Sequence, residues 1–197
     1  MSDFYKTLSI DELYNFVKKT GLDGVEPVDV AEIRKLIPAG LRVLEVGCGT
    51  GRVGKKLIPN YDYVGIDDHK PYLDYFRSSL KAEGMSDKGL VDTSFENYKK
   101  KGFDAILFTW SVIMDFESKE KQLDVIKKAK SMLSKNGCII LDNPAKDSIV
   151  NTSDGYNPIS FYYDEWVDIF DKLGFKHNVL PYKTLTGRKR DLTVLKI

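Results

Sequence analysis

The sequence is short of several things, and each shortage removes a class of protein. Two cysteines, Cys48 and Cys138, are too few for a disulfide framework, and neither stands in a metal-ligand spacing. We read both as thiols in a reducing cytosol, expect a cytoplasmic protein, and expect no metal. Neither charge dominates: 30 basic and 29 acidic side chains leave a net charge of +1, so nothing electrostatic calls for a nucleic acid or an anionic membrane as partner. No apolar run approaches membrane-spanning length. The opening "MSDFYKTLSIDEL" lacks the basic start and apolar stretch of a signal peptide. Internal repeats and low-complexity tracts are missing too.

What is present is a dense glycine cluster and an alternation of short apolar runs with helical patterns. A chain of 197 residues reads as a single domain with a proper core. Residues 1–39 read as an N-terminal helical cap. Asp11 is placed to cap a first helix carrying Leu13, Phe16 and Val17, closed by Gly21, and Pro27 opens a second with Val30, Ile33 and Ile37. From residue 40 the pattern turns to strand and helix. Strands are expected at "LRVLEV", "YDYVGID", "GLVD", "FDAILFTW" and "CIILDN". Helices between them are expected at "GRVGKKLI", after Pro71, and from Asp115 or Ser118 through Leu133 to a stop at Asn136 and Gly137. Asp164 is placed to cap a last helix, ended by Gly174. The tail reads as two strands around a turn at residues 186–190. Alternation of this kind predicts a three-layer, Rossmann-like, doubly wound α/β sheet, mostly parallel, with an antiparallel last strand. The polar stretch 144–163 is long enough to be a lid over a site.

In such sheets the ligand lies beyond the strand carboxyl ends, beside the first strand-to-helix turn. Here that turn is "VLEVGCGTGRVG". Three occupants compete. A dinucleotide fits G-x-G-x-x-G only if the motif starts at Gly49; starting where the strand ends, at Gly47, the third glycine would be Arg52. A phosphate loop has its glycines at Gly49 and Gly54 with Lys55 following, but Lys56 stands where the magnesium-binding hydroxyl belongs. The third occupant is a sulfonium cofactor: "EVGCGTG" resembles the E/D-x-G-x-G-x-G signature of class I S-adenosylmethionine-dependent methyltransferases, with Glu45 supplying the acidic residue. "FDAILFTW" resembles that family's fourth strand, and "SMLSKNGCIIL" its turn into the fifth. The resemblance covers roughly residues 40–197.

The resemblance implies S-adenosylmethionine as cofactor, held by Glu45, Gly47, Cys48, Gly49 and Gly51. Asp67, closing the second strand, would accept from the ribose hydroxyls. Asp68 would help hold the adenosine, or only cap the next helix. Asp92 would face the adenine amino group, or only close its strand; Thr93 and Thr109 complete the set. Gly54 reads as a packing glycine. For the acceptor side, Trp110, Tyr156, Tyr162 and Tyr163 are the candidates, suited to an amine or an aromatic compound. No catalytic signature stands out. "LDNPA" lacks the second proline and the aromatic of the D/N-P-P-Y motif and follows the wrong strand, so amino-methylation of nucleic-acid bases is set aside. Asp142 and Asn143 resemble the "D-N" that closes the fifth strand in protein N-terminal methyltransferases and are the only catalytic candidates. His177 reads as structural, His69 as too near the ribose to be a base, and the basic runs 99–101 and 188–190 as solvated turns. The expected function is methyl transfer to a small-molecule acceptor. A protein or peptide amine and a catalytically silent cofactor-binding module are the alternatives.

Overall fold

A computed structural model describes residues 3–148 and 162–197, with side chains from Tyr5 onward. Seven strands form one sheet: β1 Arg42–Val46, β2 Asp62–Asp67, β3 Leu90–Asp92, β4 Phe103–Phe108, β5 Leu133–Pro144, β6 Lys176–Lys183 and β7 Lys189–Lys196. Their order is β3-β2-β1-β4-β5-β7-β6. β7 runs antiparallel to both β5 and β6, and every other pairing is parallel. The chain winds outward from β1 to β3, then returns to place β4 on the other side of β1. The order therefore reverses between β1 and β4, and a crevice opens at their carboxyl ends.

The apolar runs are strands because both faces are covered. Along β1, β4 and β5 the side chains alternate with period two between two cores. Val43, Ala105, Leu107, Cys138 and Ile140 face one way, and Leu44, Ile106, Phe108, Ile139 and Leu141 face the other. The first face carries α2 Ile10–Thr20, α3 Val28–Leu36, α4 Gly54–Leu57 and α5 Lys70–Ala82, through Val17, Val30, Ile33, Leu57 and Phe76. The second carries α6 Lys119–Met132 and α7 Tyr163–Lys172, through Ile126, Ala129, Trp166 and Phe170. A four-residue helix, α1 Asp3–Lys6, precedes these. No described helix is long and apolar enough to cross a membrane.

Several boundaries differ from the sequence expectation. α2 is capped by Ser9, whose hydroxyl accepts from the Glu12 N–H at 3.3 Å while the Ser9 N–H donates to the Glu12 carboxylate at 2.7 Å. Asp11 merely sits in the first turn, because a reciprocal capping box satisfies two orphan donors where Asp11 could satisfy one. Of the two candidate caps for α6, Ser118 is the one used, and Asp115 lies in a 3-10 turn, Val112–Asp115. α6 stops at Met132, earlier than Asn136, since Leu133 already pairs with Phe103 across the sheet. The register then slips, and Gly137 lies in that irregularity. α7 starts at Tyr163 behind Tyr162, with Asp164 in its first turn. The final turn spans residues 184–188, so Lys189 and Arg190 belong to β7. Of the expected lid at 144–163, Pro144 ends β5 and residues 149–161, including Tyr156, lie outside the described residues.

Gly137 marks where the early strand start is paid for. A Cβ there would stand 2.9 Å from the Phe103 carbonyl oxygen and 3.0 Å from Leu133. Gly137→Ala is expected to push β5 off β4 and cost roughly 1–3 kcal/mol, read as a lower urea midpoint at unchanged slope. A midpoint equal to that of the parent would show the strand pair tolerates the methyl.

Candidate functional site

The crevice is built on the turn that follows β1. Gly47 and Gly49 sit at φ 69° and 52°, a region costly for other residues. The turn folds back on β2: the Gly47 and Cys48 N–H groups donate to the Ile66 carbonyl at 2.9 and 3.1 Å. The Gly49 N–H donates to Asp67 Oδ2 at 2.8 Å, and the His69 N–H to Asp67 Oδ1 at 2.8 Å. Asp67 is buried, and burial outweighs these two bonds, pushing its carboxyl up to about 6. Each of its oxygens has a second lone pair. At Gly49 an added Cβ would meet nothing within 4 Å, so the turn leaves open space there. Gly51 is different. Its Cβ would run into the Phe76 ring, so this glycine lets α5 approach; Gly54 serves the same contact, against Tyr63 and Phe76. The Cys48 thiol is buried and held well above the ordinary thiol range by desolvation.

Glu45 stands behind the turn. It accepts from the Tyr63 hydroxyl at 2.6 Å and from Thr109 Oγ1 at 2.9 Å, which ties β1 to β2 and to the end of β4. Desolvation dominates these bonds and raises it to about 7. Arg52 follows the glycines. Its guanidinium grips Asp29, which is fully buried on α3, in a two-pronged pair at 2.9 and 2.6 Å, and also donates to the Leu22 carbonyl.

Over this floor lies a roof from the N-terminal helices. The Tyr5 and Phe16 rings sit 5.4 and 5.7 Å from the Trp110 indole. The Tyr72 hydroxyl donates to the Tyr5 and Leu8 carbonyls, and Lys6 pairs with Asp68 at 3.1 Å. The hollow is lined by Glu45, Gly47, Cys48, Gly49, Asp67, Thr109 and Trp110, all site candidates from sequence, by His69, which the sequence placed near the ribose, and by Tyr5, Lys6, Arg52, Tyr72 and Asp115, which were not site candidates. A second, smaller hollow shares Gly47 and Asp67 and runs past Asp68 and Thr93 to Ser94, Phe95 and Phe116. Together they make one cleft across the ends of β1 and β2.

Other sequence candidates lie elsewhere. Gly51 and Asp92 line neither hollow, and Asp92 is exposed. Tyr162 is half-buried and lines neither; the Tyr163 hydroxyl meets His177 Nδ1 at 2.8 Å, with His177 Nε2 on Asp171. Asp142 is fully buried outside the cleft. Its carboxylate accepts from the Trp110 N–H, the Tyr182 hydroxyl and Arg190 Nε at 2.8–2.9 Å. Arg190, read from sequence as part of a solvated turn, is thus a buried ion-pair partner. Asn143 is buried as well, and among the described residues neither atom of its amide has a hydrogen-bond partner. The signal for Arg190 was strand parity: it shares a face with Leu192 and Val194, both buried. Nothing local marks Tyr5 or Lys6.

Residues 43–137 match a family described as a methyltransferase domain. No curated protein matches the chain. Among solved structures, a SAM-dependent methyltransferase from Thermotoga maritima, described as a possible histamine N-methyltransferase, aligns over 100% of this chain and 99% of its own, with TM-score 0.73 and 18% identity. Magnesium protoporphyrin IX methyltransferase from Synechocystis, with bound SAH, aligns over 99% and 97%, with TM-score 0.72 and 15% identity. A SAM-dependent methyltransferase from Leishmania major gives 98% and 80%, TM-score 0.71 and 18% identity. At these identities the likeness is one of fold.

The raised carboxyls give the fold a pH dependence with a definite sign. Glu45 and Asp67 keep protons when folded at pH values where the unfolded chain has lost them. Their contribution to stability is full below their unfolded values of 4.5 and 3.8 and is lost as pH rises through about 7 and about 6. Urea unfolding of the ligand-free protein should therefore weaken from pH 4.5 to 8, and the Glu45→Gln, Asp67→Asn double variant should flatten that decline. A decline equally steep in the double variant would assign it to other groups.

Proposed function

We propose that the chain, whose residues 43–137 match a methyltransferase domain, is a class I, S-adenosylmethionine-dependent enzyme that methylates a small-molecule acceptor by in-line displacement beneath the Tyr5–Phe16–Trp110 roof. The observation that carries this reading is the roof itself. Tyr5 and Trp110 line the hollow on the side where β4 ends, with Phe16 packed against both rings, and aromatic walls of this kind suit an amine or an aromatic compound.

The cleft suits the cofactor. The space beside Gly49 admits a close backbone approach, and Asp67, fixed by two backbone N–H groups, keeps lone pairs for the two ribose hydroxyls. On this reading the smaller hollow, lined by Thr93 and Phe95, takes the adenine, and the roofed hollow the methionine end. S-adenosylmethionine, when bound, supplies an electrophilic methyl group. The residues around it align donor and acceptor and exclude water. Alignment of this kind is worth roughly 7–11 kcal/mol, enough to carry the reaction without a dedicated base. That fits the placement of Asp142, which is buried outside the cleft with three donors on its oxygens and so is not placed to act as base.

A second reading, a protein or peptide amine, is favoured by Asn143. Among the described residues its buried amide has both donor and acceptor capacity unmet at the end of β5. An amine N–H donated to its Oδ1 would meet the acceptor and leave the nitrogen lone pair for the methyl.

Asp67→Ala should weaken S-adenosylhomocysteine binding about tenfold or more by calorimetry, a loss of about 1.4 kcal/mol or more, and unchanged affinity would remove the ribose assignment. Labelled methyl donor offered to metabolite pools and to peptides in parallel tests the acceptor. Incorporation into small molecules is expected; incorporation into peptides alone would overturn the first reading in favour of the second. Cofactor binding with no transfer to either pool would point to a silent binding module.

A further inference from the structure

Two adjacent residues after β4, Trp110 and Ser111, both adopt left-handed backbone conformations, with φ 50° and 68°. Among the described residues no other non-glycine position does so. This region is disfavoured for L side chains, and more so for a bulky one. Such a turn persists only where its surroundings over-determine it. Here the surroundings converge on one carboxylate. Asp142 Oδ2 accepts from the Trp110 N–H at 2.9 Å, and the Asp142 carbonyl accepts from the Ser111 N–H at 2.8 Å. Arg190 completes the grip. Its Nη2 donates to Ser111 Oγ at 3.0 Å and to the Asp142 carbonyl at 3.1 Å, while its Nε lies 2.9 Å from Asp142 Oδ1 and 3.0 Å from the Tyr182 hydroxyl. Asp142, Arg190, Ser111 and Tyr182 are all buried.

A buried ion pair of this kind adds little stability over apolar residues of the same volume. Its geometry assigns it another task. β7 is inserted against β5 so that Arg190 arrives beneath the turn, and β6 brings Tyr182 opposite Arg190. Asp142 then bonds the backbone that carries the indole of the roof, Arg190 bonds the Ser111 hydroxyl beside it, and Tyr182 acts through its bonds to both Asp142 and Arg190.

We propose that Asp142, Arg190 and Tyr182 are positioning residues for methyl transfer: they hold the Trp110–Ser111 turn left-handed and so fix the Trp110 ring against Tyr5 and Phe16 over the acceptor hollow. This rests on the reading of that hollow as the transfer site. It recasts Asp142, a catalytic candidate from sequence, as a residue that acts through Trp110.

The test reads Trp110 directly. The chain has two tryptophans, so Trp166→Phe leaves Trp110 as sole reporter, and this variant is the parent for all measurements. An asparagine at position 142 offers one acceptor oxygen to three donors and no charge to Arg190. Asp142→Asn should raise acrylamide quenching of Trp110 about threefold while circular dichroism and cooperative unfolding persist. Adding Ser111→Gly, which makes the left-handed turn intrinsically acceptable, should restore at least half of the protection. A folded Asp142→Asn variant with parental quenching, or one that Ser111→Gly does not restore, would overturn the inference. Should Asp142→Asn fail to fold, Tyr182→Phe replaces it: a rise in quenching, reversed by Ser111→Gly, is expected, and parental quenching would overturn the inference. The underlying reading fails separately. Trp110→Ala with undiminished transfer to the small-molecule pool would remove the acceptor wall without touching the quenching result.

Discussion

The cleft exists because one buried carboxylate is committed to backbone. Asp67 takes the Gly49 N–H on one oxygen and the His69 N–H on the other, and its own carbonyl takes the Thr93 N–H at 3.0 Å. Through this one residue the turn after β1, the start of α5 and the segment after β3 are fixed relative to each other. Both hollows share Asp67 and Gly47. Without that grip, the glycine turn would have only its two bonds to the Ile66 carbonyl and one to Cys48 to define it. The freedom that lets glycine adopt left-handed angles would then also let the turn sample others.

The buried carboxylates divide by partner. Asp29 and Asp142 are each clamped by an arginine, Arg52 and Arg190, and they brace the site from behind. Glu45 and Asp67 border the roofed hollow and accept only from hydroxyls and backbone N–H groups, so desolvation prevails and both rise into the range of about 6 to 7. Lys6 and Arg52 line the same hollow but are engaged elsewhere, Lys6 with Asp68 and Arg52 with Asp29, so neither bonds Glu45 or Asp67 directly.

The parts of this architecture legible in the sequence are those decided within a few residues. β1, β2 and β4 announce themselves as apolar runs because both faces are covered, and Pro71 fixes the start of α5 by its own geometry. The glycine turn with Asp67 could be read for the same reason, since strand end, turn and acidic residue sit at set spacings. The helix caps at Ser9 and Tyr162 were missed although local, but the larger misreadings were decided at long range. "SMLSKNG" looks like the end of a helix, yet pairing between Leu133 and Phe103 pulls it into β5. "TGRKR" looks like a solvated turn, yet Asp142, far away in the sequence, buries Arg190. Gly51 belongs to the motif by pattern but gives its space to Phe76, a side chain on another helix. Thr109 could be placed at a strand end from sequence, but its bond to Glu45 could not.

The roof and the brace come from opposite parts of the chain and meet at Trp110. Tyr5 and Phe16 pack against it at tilted angles from α1 and α2, while Arg190, with Tyr182 behind it, reaches its turn from the final hairpin. The two parts also touch directly, where Thr186 Oγ1 donates to the Thr20 carbonyl at 3.1 Å and the Leu185 N–H to that of Gly21 at 3.1 Å. Contacts this distant in sequence form late, because loop closure must precede them. The glycine turn and Asp67 come from adjacent strands and can assemble earlier, but the hollow is enclosed only when first helix and last strand are both in place. A ligand that needs the enclosed hollow therefore draws on the stability of the whole fold and returns it by mass action. The antiparallel β7 sits inside the sheet, between β5 and β6, and from there Arg190 reaches Ser111. An outer position would not bring Arg190 within reach of the turn that carries the indole.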